Sequence, residues 1–153
     1  MKLVVLLDNI RSAYNVGSVF RTCDSAGVDK LFLCGYCACP PNPKLHKTAL
    51  GSVDHVAWEH HCSAADAVKY LKSQHVQIIC LETVPQTQSL FEYHYQTDTC
   101  LIFGNEERGI DPDILALADT ILQIPQYGIK ESLNIASAAA VAIYEFRRQS
   151  PKI

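Results

Sequence analysis

The sequence predicts an α/β domain in which a parallel sheet is flanked by helices. Short continuous apolar runs such as Leu3–Asp8 and Thr99–Phe103 are typical of strands buried on both faces of a parallel sheet. These runs alternate with segments whose apolar residues repeat with the period of a helix. We therefore expect ligands to bind beyond the carboxyl ends of the strands. At 153 residues, the chain is predicted to form a single domain over residues 1–153.

The first predicted unit is a strand followed by a helix. Leu3–Asp8 forms the strand, and Asn15 is predicted to cap the helix. The apolar residues of this helix fall at positions 16, 19, 20 and 23, which places them on one stripe that faces the sheet. Gly27 is expected to end the helix.

The rest of the chain continues the alternation, with five or six strands in all. A strand over residues 31–34 is followed by a Pro-rich loop over 35–47 without a core pattern and a small-residue turn over 48–52. A third strand is predicted over 55–58, and Ser63 is predicted to cap the next helix. The later elements are two strands, a short helix, a last strand and a final helix, at Gln77–Leu81, Thr99–Phe103, 111–117, 120–124 and 132–148.

Composition narrows the class of protein. The net charge of −3 and pI near 6.0 argue against a strong non-specific grip on nucleic acid, but leave room for a local basic patch. No apolar run reaches 18 residues, and the chain begins with a strand pattern instead of a signal sequence. These features predict a soluble cytoplasmic protein that does not interact with a membrane.

The cysteines predict reduced thiols and no metal site. Their number, seven, is odd, and they are spread through apolar segments, which fits the cytoplasm better than a disulfide framework. Cys34, Cys37 and Cys39 form a C-x-x-C-x-C cluster, but the second close ligand pair of a structural zinc site is missing. Cys34 and Cys80 are expected to be core residues at strand ends.

Unusual residues concentrate in three loops at the carboxyl ends of predicted strands. Arg21 lies on the first helix but off its apolar stripe, where it could pair with a phosphate or form a surface ion pair. Residues 104–109 contain four polar side chains framed by two glycines, a pattern that lets backbone N–H groups approach a ligand. Residues 124–144 run from a strand through Pro125 and Gly128 into a helix of small residues.

Together the three loops resemble the three motifs of the SpoU/TrmH family of RNA 2′-O-ribose methyltransferases, which belongs to the SPOUT superfamily. The matching residues are Asn15, Gly17 and Arg21 in the first motif, Gly104, Asn105, Glu106 and Gly109 in the second, and Ile124, Pro125, Ser132, Leu133, Asn134 and Ala139 in the third. The motifs span the chain in the correct order. The resemblance implies a SPOUT-type α/β knot, with a deep trefoil knot at the carboxyl end that no strand pattern could predict.

The resemblance also implies a cofactor and a set of site residues. S-adenosyl-L-methionine would be held in the knot by backbone groups of Leu81, Thr83, Gly104, Ile124, Ser132 and Leu133. The substrate-side, catalytic residues would be Asn15, Arg21, Glu106, Ser132 and Asn134. Because a guanidinium stays protonated, we expect Arg21 to anchor phosphate and stabilise a developing alkoxide, and Glu106 to orient its neighbours. No metal is expected.

The family resemblance makes RNA the expected partner, with tRNA first and rRNA next. The cations available for phosphate contact are Arg11, Arg21, Lys44, Lys47 and Arg108. We expect no added RNA-binding domain, and the resemblance implies that small members of the family compensate by pairing through their first and last helices, so a homodimer is expected. In this interpretation Tyr144 and Phe146 contact the partner subunit, whereas the alanines at 136–142 pack the knot.

Two other functions compete with ribose methylation. A non-catalytic RNA-binding relative would keep the fold without turnover, although the presence of all five substrate-side residues counts against it. A base-nitrogen RNA methyltransferase of the same fold would be expected to have different residues in the first motif. The absence of G-x-G-x-x-G and of G-x-x-x-x-G-K-[ST] disfavours a dinucleotide site or a P-loop.

Overall fold

The computed structural model describes residues 1–85 and 87–152. Within them, strands and helices alternate along the chain as predicted. The strands are β1 Leu3–Asp8, β2 Lys30–Cys34, β3 Trp58–His61, β4 Gln77–Leu81, β5 Gln88–Ser89, β6 Thr99–Phe103 and β7 Thr120–Gln123. The helices are α1 Ala13–Ser25, α2 Pro43–Ala49, α3 Ala64–Ser73, α4 Pro112–Leu117 and α5 Ile135–Gln149.

All strand pairs of the sheet are parallel, in the order β3-β2-β1-β6-β4-β7-β5. The central strand β1 pairs with β2 and β6, so that Leu6 lies between Phe32 and Ile102. These strands are almost continuously apolar because both of their faces are covered. The predicted fold class, a parallel sheet flanked by helices, is confirmed, and the structure adds the two-residue edge strand β5.

The helices divide between the two faces of the sheet. On one face, α1, α2 and α5 enclose a core that includes Phe20, Leu45 and Phe146. On the other, α3 and α4 cover a smaller core that includes Val68 and Ile114. Burial of these side chains is the main stabilising contribution, at about 1.5–3 kcal/mol for each fully buried large apolar residue.

The final helix is tied to the end of α1 by a buried arginine that the sequence did not single out. Arg147 donates from Nε to the Ala26 carbonyl at 2.8 Å and from Nη2 to the Gly27 carbonyl at 2.8 Å. The same guanidinium lies 3.4 Å from a carboxylate oxygen of Asp29. These contacts satisfy carbonyls that a helix end otherwise leaves unpaired.

Several predicted boundaries were wrong, and local hydrogen bonds explain the differences. Ser12, not Asn15, caps α1, because its hydroxyl accepts from the Asn15 N–H at 3.2 Å. The final helix α5 begins at Ile135 and not at 132, because Asn134 caps it by accepting from the N–H groups of Ala136 and Ser137. In both cases another polar residue of the same segment has a side chain placed to accept from the free N–H groups at the start of the helix.

The region predicted to be a loop and a turn over 35–52 contains the helix α2. Asn42 caps this helix, Pro43 starts it, and Leu45 is fully buried within the core. The third strand also lies later than predicted, at Trp58–His61, and pairs with β2 from Leu31 onward. One buried leucine in a short helix is too weak a pattern to reveal that helix in the sequence.

Candidate active site

A pocket of about 490 Å³ lies at the carboxyl ends of β4, β6 and β7, next to the start of α5. This is the edge at which parallel sheets bind their ligands, and the volume is that of a small-molecule site. All six residues predicted to hold a cofactor line it: Leu81, Thr83, Gly104, Ile124, Ser132 and Leu133. Of the predicted substrate-side residues, Glu106, Ser132 and Asn134 also line this pocket.

One wall of the pocket is held by Glu82, a residue that the sequence analysis did not single out. Its carboxylate accepts from the N–H of Thr83 at 2.9 Å and from the N–H of Ile110 at 2.9 Å. It thereby joins the end of β4 to the loop that follows β6. The sequence feature that could have indicated this role is the position of a carboxylate directly after an apolar strand, where it can accept hydrogen bonds from free backbone N–H groups.

The loop after β6 requires both of its motif glycines, one for close backbone approach and the other for its positive φ. A Cβ on Gly104 would collide with the backbone of Gly109, and Gly109 adopts a φ of +71°. The backbones of Asn105 and Gly109 exchange two hydrogen bonds of 3.0 and 2.8 Å. The loop is therefore closed on itself, and five of its residues, Gly104 to Glu107 and Gly109, line the pocket.

Asn105 organises this loop from inside. It is buried, and its amide nitrogen donates to the Asn9 carbonyl at 2.8 Å and to the Tyr36 hydroxyl at 2.7 Å. Its oxygen accepts from the N–H groups of Glu107 and Arg108 at 3.0 and 2.9 Å. Asn105 was recognised only as a motif member, and these contacts give it a defined structural role.

Beside the pocket, one residue from each motif joins a hydrogen-bonded chain. Asn134 Nδ2 donates to Asn15 Oδ1 at 3.2 Å, and Asn15 Nδ2 donates to Glu106 Oε1 at 3.1 Å. The Glu106 carboxylate also accepts from the backbone N–H groups of Arg11 and Ser12 at 2.9 and 3.1 Å. Asn15 therefore meets two residues that lie 91 and 119 positions later in the sequence, and the three form one polar cluster.

These contacts keep Glu106 ionised. Burial alone would raise its pKa, but the hydrogen bonds from Arg11, from its own N–H, from Ser12 and from Asn15 lower the pKa below its ordinary value of 4.5 on balance. A carboxylate with a lowered pKa is a weak proton acceptor. The geometry therefore suits Glu106 to orienting Asn15 and a ligand hydroxyl.

Arg21 lies apart from this cluster. It is exposed on α1, away from the stripe formed by Val16, Val19 and Phe20, and does not line the pocket. The predicted position off the apolar stripe is confirmed. The structure does not bring Arg21 to this pocket, so a role for Arg21 in binding requires a ligand that extends along α1.

The other predicted RNA-binding cations lie on α2 and in the loops that follow β1 and β6. Arg11 forms an exposed ion pair with Glu107, and Arg11 and Lys44 line a second groove next to α2. Lys47 is exposed on α2. Arg108 lies within 3.5 Å of the Tyr36 hydroxyl, and its charge acts on the buried carboxylate of Asp8.

The cysteine cluster is part of the protein interior. Cys34 and Cys37 are buried, and burial raises the pKa of the Cys37 thiol to about 11. The predicted burial of Cys34 and Cys80 is confirmed. Across residues 1–85 and 87–152, no three or more His, Cys, Asp or Glu side chains are arranged to hold a metal ion. No helix in the described part of the chain has the length and apolar character needed to cross a membrane.

Comparison with known proteins identifies the family. A model of the SpoU rRNA Methylase family matches residues 2–144. The tRNA (guanosine(18)-2'-O)-methyltransferase of Escherichia coli (strain K12) is 31% identical over 150 residues, covering 96% of this chain and 63% of that protein. Because the family model matches nearly the whole chain, the protein belongs to the SpoU rRNA Methylase family, as its three motifs predicted.

Solved structures share the fold. An AdoMet-bound rRNA methyltransferase from Sinorhizobium meliloti has a TM-score of 0.92 at 26% identity, over 99% of this chain and 57% of that chain. A structure described in connection with the 2-OH methylation of C/U34 on tRNA has a TM-score of 0.87 at 31% identity, over 97% of this chain and 95% of that one. The chain thus spans less than two thirds of the E. coli and S. meliloti proteins but nearly all of the third.

Proposed function

We propose that the protein is an S-adenosylmethionine-dependent methyltransferase that modifies a ribose 2′-hydroxyl of RNA, with tRNA as the first candidate and rRNA as the next. The observation that carries this proposal is the chain of hydrogen bonds through Asn134, Asn15 and Glu106 at the rim of a pocket formed by loop backbone. The names of the relatives support the same chemistry, since they refer to ribose methylation of tRNA and to AdoMet binding.

The residues of the pocket fit the proposed cofactor. Gly104 is buried and, having no side chain, lines the pocket with backbone alone. Leu81, Ile124 and Leu133 offer apolar contact, and Thr83 and Ser132 add polar groups. When bound, S-adenosylmethionine supplies a methyl group on a positively charged sulfonium. Because that charge disappears during transfer, a pocket poor in water favours the reaction and positioning accounts for much of the rate.

On the substrate side, we assign orientation to Asn15, Glu106, Ser132 and Asn134. The ionised Glu106 fixes the Asn15 amide, which also accepts from Asn134, so that both amides are held at the pocket rim. Transfer would form the bond from the ribose oxygen to the methyl carbon and break the bond from that carbon to sulfur, leaving a neutral thioether, and the hydroxyl proton would pass to solvent. Arg21 remains the proposed anchor for an adjacent phosphate and the stabiliser of alkoxide charge, reached by RNA lying along α1.

The knot is proposed as the framework of the cofactor pocket. The segment between β7 and α5 contributes Ile124, Ser132, Leu133 and Asn134 to the pocket, opposite the loops after β4 and β6. Folding of a threaded chain would place these three segments together without a separate binding domain. A crystal structure traced through residues 80–149 tests the knot, and an unthreaded path would contradict it.

We also propose a homodimer formed through α1 and α5. Tyr144, half exposed on α5, supports this surface. The expected partner contact by Phe146 was wrong, because Phe146 is fully buried against Tyr95, with ring centroids 4.9 Å apart. Light scattering across a dilution series should give twice the chain mass, and a monomer that methylates RNA would contradict the proposal.

The single-domain and cytoplasmic assignments remain part of the proposal. The continuous seven-stranded sheet supports one domain over residues 1–153. All seven cysteines are free thiols, which supports a reducing compartment. Limited proteolysis that releases a stable internal fragment would argue against one domain, and fractionation of the source cells tests the compartment.

The proposed activity is tested with titration calorimetry and a transfer assay. S-adenosylmethionine should bind at one site per chain, and the protein should move labelled methyl from this cofactor into unmodified tRNA. Absence of both binding heat and label would contradict the proposal. Binding without transfer to tRNA or rRNA would support the non-catalytic alternative instead.

A further inference from the structure

A groove of about 620 Å³ lies next to the pocket, between the start of α1, the end of β2 and α2. Its lining combines two half-exposed aromatic side chains with two cations. Tyr14 and Tyr36 supply the rings, and Arg11 and Lys44 supply the charges. This combination is typical of surfaces that bind single-stranded nucleic acid, where bases stack on aromatic rings and phosphates meet cations.

The Tyr36 ring is held in place although 53% of the residue is exposed. Its hydroxyl accepts from the buried Asn105 amide at 2.7 Å, and Asn105 belongs to the loop that contains Glu106. A ring fixed at its hydroxyl end loses little conformational freedom when a base stacks on it. The groove and the pocket are thus joined through one short loop.

The two helical walls of the groove are locked together. A Cβ on Gly17 would collide with the Leu45 carbonyl, so α1 and α2 approach more closely than another residue would permit. Across the same contact, the Thr48 hydroxyl donates to the Tyr14 carbonyl at 2.7 Å. This explains the motif glycine Gly17 and gives the groove a preformed shape.

Arg11 connects the groove to the site directly. Its backbone N–H donates to Glu106 at 2.9 Å, while its exposed guanidinium is paired only at the surface with Glu107. An exposed pair of this kind contributes little and can be exchanged for a phosphate. Lys44 adds a second cation at the groove.

We infer that this groove binds a nucleotide of single-stranded RNA that neighbours the methylated ribose, with Tyr14 and Tyr36 as stacking platforms and Arg11 and Lys44 as phosphate contacts. This inference rests on the proposed function for its choice of RNA. It adds the two tyrosines as substrate-positioning residues and requires the target nucleotide to lie in an unpaired region. A duplex cannot offer base faces to the rings.

The test measures RNA binding separately from methyl transfer. Binding of an unmodified tRNA transcript and of a short single-stranded RNA is followed by fluorescence anisotropy for the wild type, Tyr14→Ala, Tyr36→Ala and Tyr36→Phe. Each alanine variant should bind both RNAs about tenfold more weakly, the loss expected for one stacked base. Tyr36→Phe keeps the ring and should bind within about twofold of the wild type.

Matched controls come from α3, on the opposite face of the sheet. Tyr70 is 54% exposed, almost the same as Tyr36, so Tyr70→Ala should leave RNA binding unchanged. Lys44→Ala should weaken binding and reduce the salt dependence by roughly one phosphate contact, whereas Lys69→Ala should do neither. All variants should bind S-adenosylmethionine as the wild type does.

The outcomes separate the groove from the proposed activity. Unchanged RNA binding by Tyr14→Ala and Tyr36→Ala would overturn the inference, even if the enzyme methylates RNA. Equal losses for Tyr36→Phe and Tyr36→Ala would also overturn it, because they would assign Tyr36 to holding Asn105 instead of stacking. Selective loss in the alanine variants would support the groove even if the tested RNA accepts no methyl group.

Discussion

The two ends of α5 differ in what surrounds them. At the amino end, Ser132 and Leu133 precede the helix and are exposed, and Asn134 caps it while lining the pocket. At the carboxyl end, Phe146 and Arg147 are buried, and the guanidinium of Arg147 is bound by carbonyls and a carboxylate.

This difference separates function from stability within one helix. Polar groups at the amino end are arranged at a pocket rim, where a ligand can reach them. Polar groups at the carboxyl end are satisfied inside the protein, where loss of a partner is costly. Substitutions at the two ends should therefore affect different measurements, and the following variants are chosen to break or sharpen that distinction.

The largest expected effect is loss of stability in Arg147→Ala. The substitution removes the charged donor from the carbonyls of Ala26 and Gly27 and from Asp29, which should lower the free energy of unfolding by about 3 kcal/mol. Urea denaturation measures this change. The control is Arg148→Ala, which removes an exposed guanidinium from the buried Glu145 carboxylate but leaves that carboxylate the hydrogen bond from Gln149, so it should cost less than Arg147→Ala, about 1 kcal/mol. Equal losses would contradict the distinction.

Arg21→Ala should lower turnover with little change in stability. If Arg21 anchors phosphate or stabilises the ribose oxygen, turnover should fall by about two orders of magnitude or more, which is roughly 3 kcal/mol of transition-state stabilisation. Cofactor affinity should remain near that of the wild type. Arg21→Lys should recover little if the contact is bidentate. Full activity in Arg21→Ala would make Arg21 a surface residue only.

Asn134→Ala should affect both measurements at an intermediate level. Loss of the cap should cost about 1 kcal/mol of stability, and loss of the bond to Asn15 should reduce turnover roughly tenfold. Ser63→Ala provides the matched control, since Ser63 caps α3 by accepting from the Asp66 N–H far from the pocket. That variant should lose similar stability and retain turnover. A loss of turnover in both variants would mean that stability alone sets activity.

The smallest expected effect is a pH dependence at the carboxyl end. Burial alone would raise the pKa of Asp29, but hydrogen bonds from the Leu3 N–H and Lys152 and the charges of Lys152 and Arg147 lower it below 3.8. A carboxylate with a lowered folded-state pKa stabilises the fold above its unfolded pKa and loses that contribution on acidification. The stability advantage of the wild type over Asp29→Asn should therefore be constant near neutral pH and shrink below about pH 4. An advantage that grows on acidification would contradict this assignment.

The sequence predicted the parts of the fold that depend on strong apolar patterns. Three strands were predicted with their observed bounds, because strands covered on both faces are continuously apolar: Leu3–Asp8, Gln77–Leu81 and Thr99–Phe103. Helix α2 was missed because Leu45 is one of only two buried residues in a seven-residue element. The caps at Ser12 and Asn134 were missed because several neighbouring residues can cap, and only backbone geometry selects among them.

The sequence predicted which residues of the motifs lie together at the candidate site. The six residues predicted to hold the cofactor all line one pocket, although they come from three separate segments. The roles of Glu82, Asn105 and Tyr36 could not be predicted, because each depends on contacts between distant segments. Phe146 was misassigned because an apolar helix residue has the same sequence pattern whether its own core or a partner covers it.

The position of the transferred methyl group tests the central claim most directly. RNA incubated with the protein and isotopically labelled S-adenosylmethionine is digested to nucleosides and analysed by mass spectrometry, with Arg21→Ala as the control. We predict one labelled nucleoside whose label remains with the ribose when the glycosidic bond is fragmented, and loss of nearly all label in the control. Label on a base nitrogen, or no label in tRNA and rRNA alike, would contradict the account.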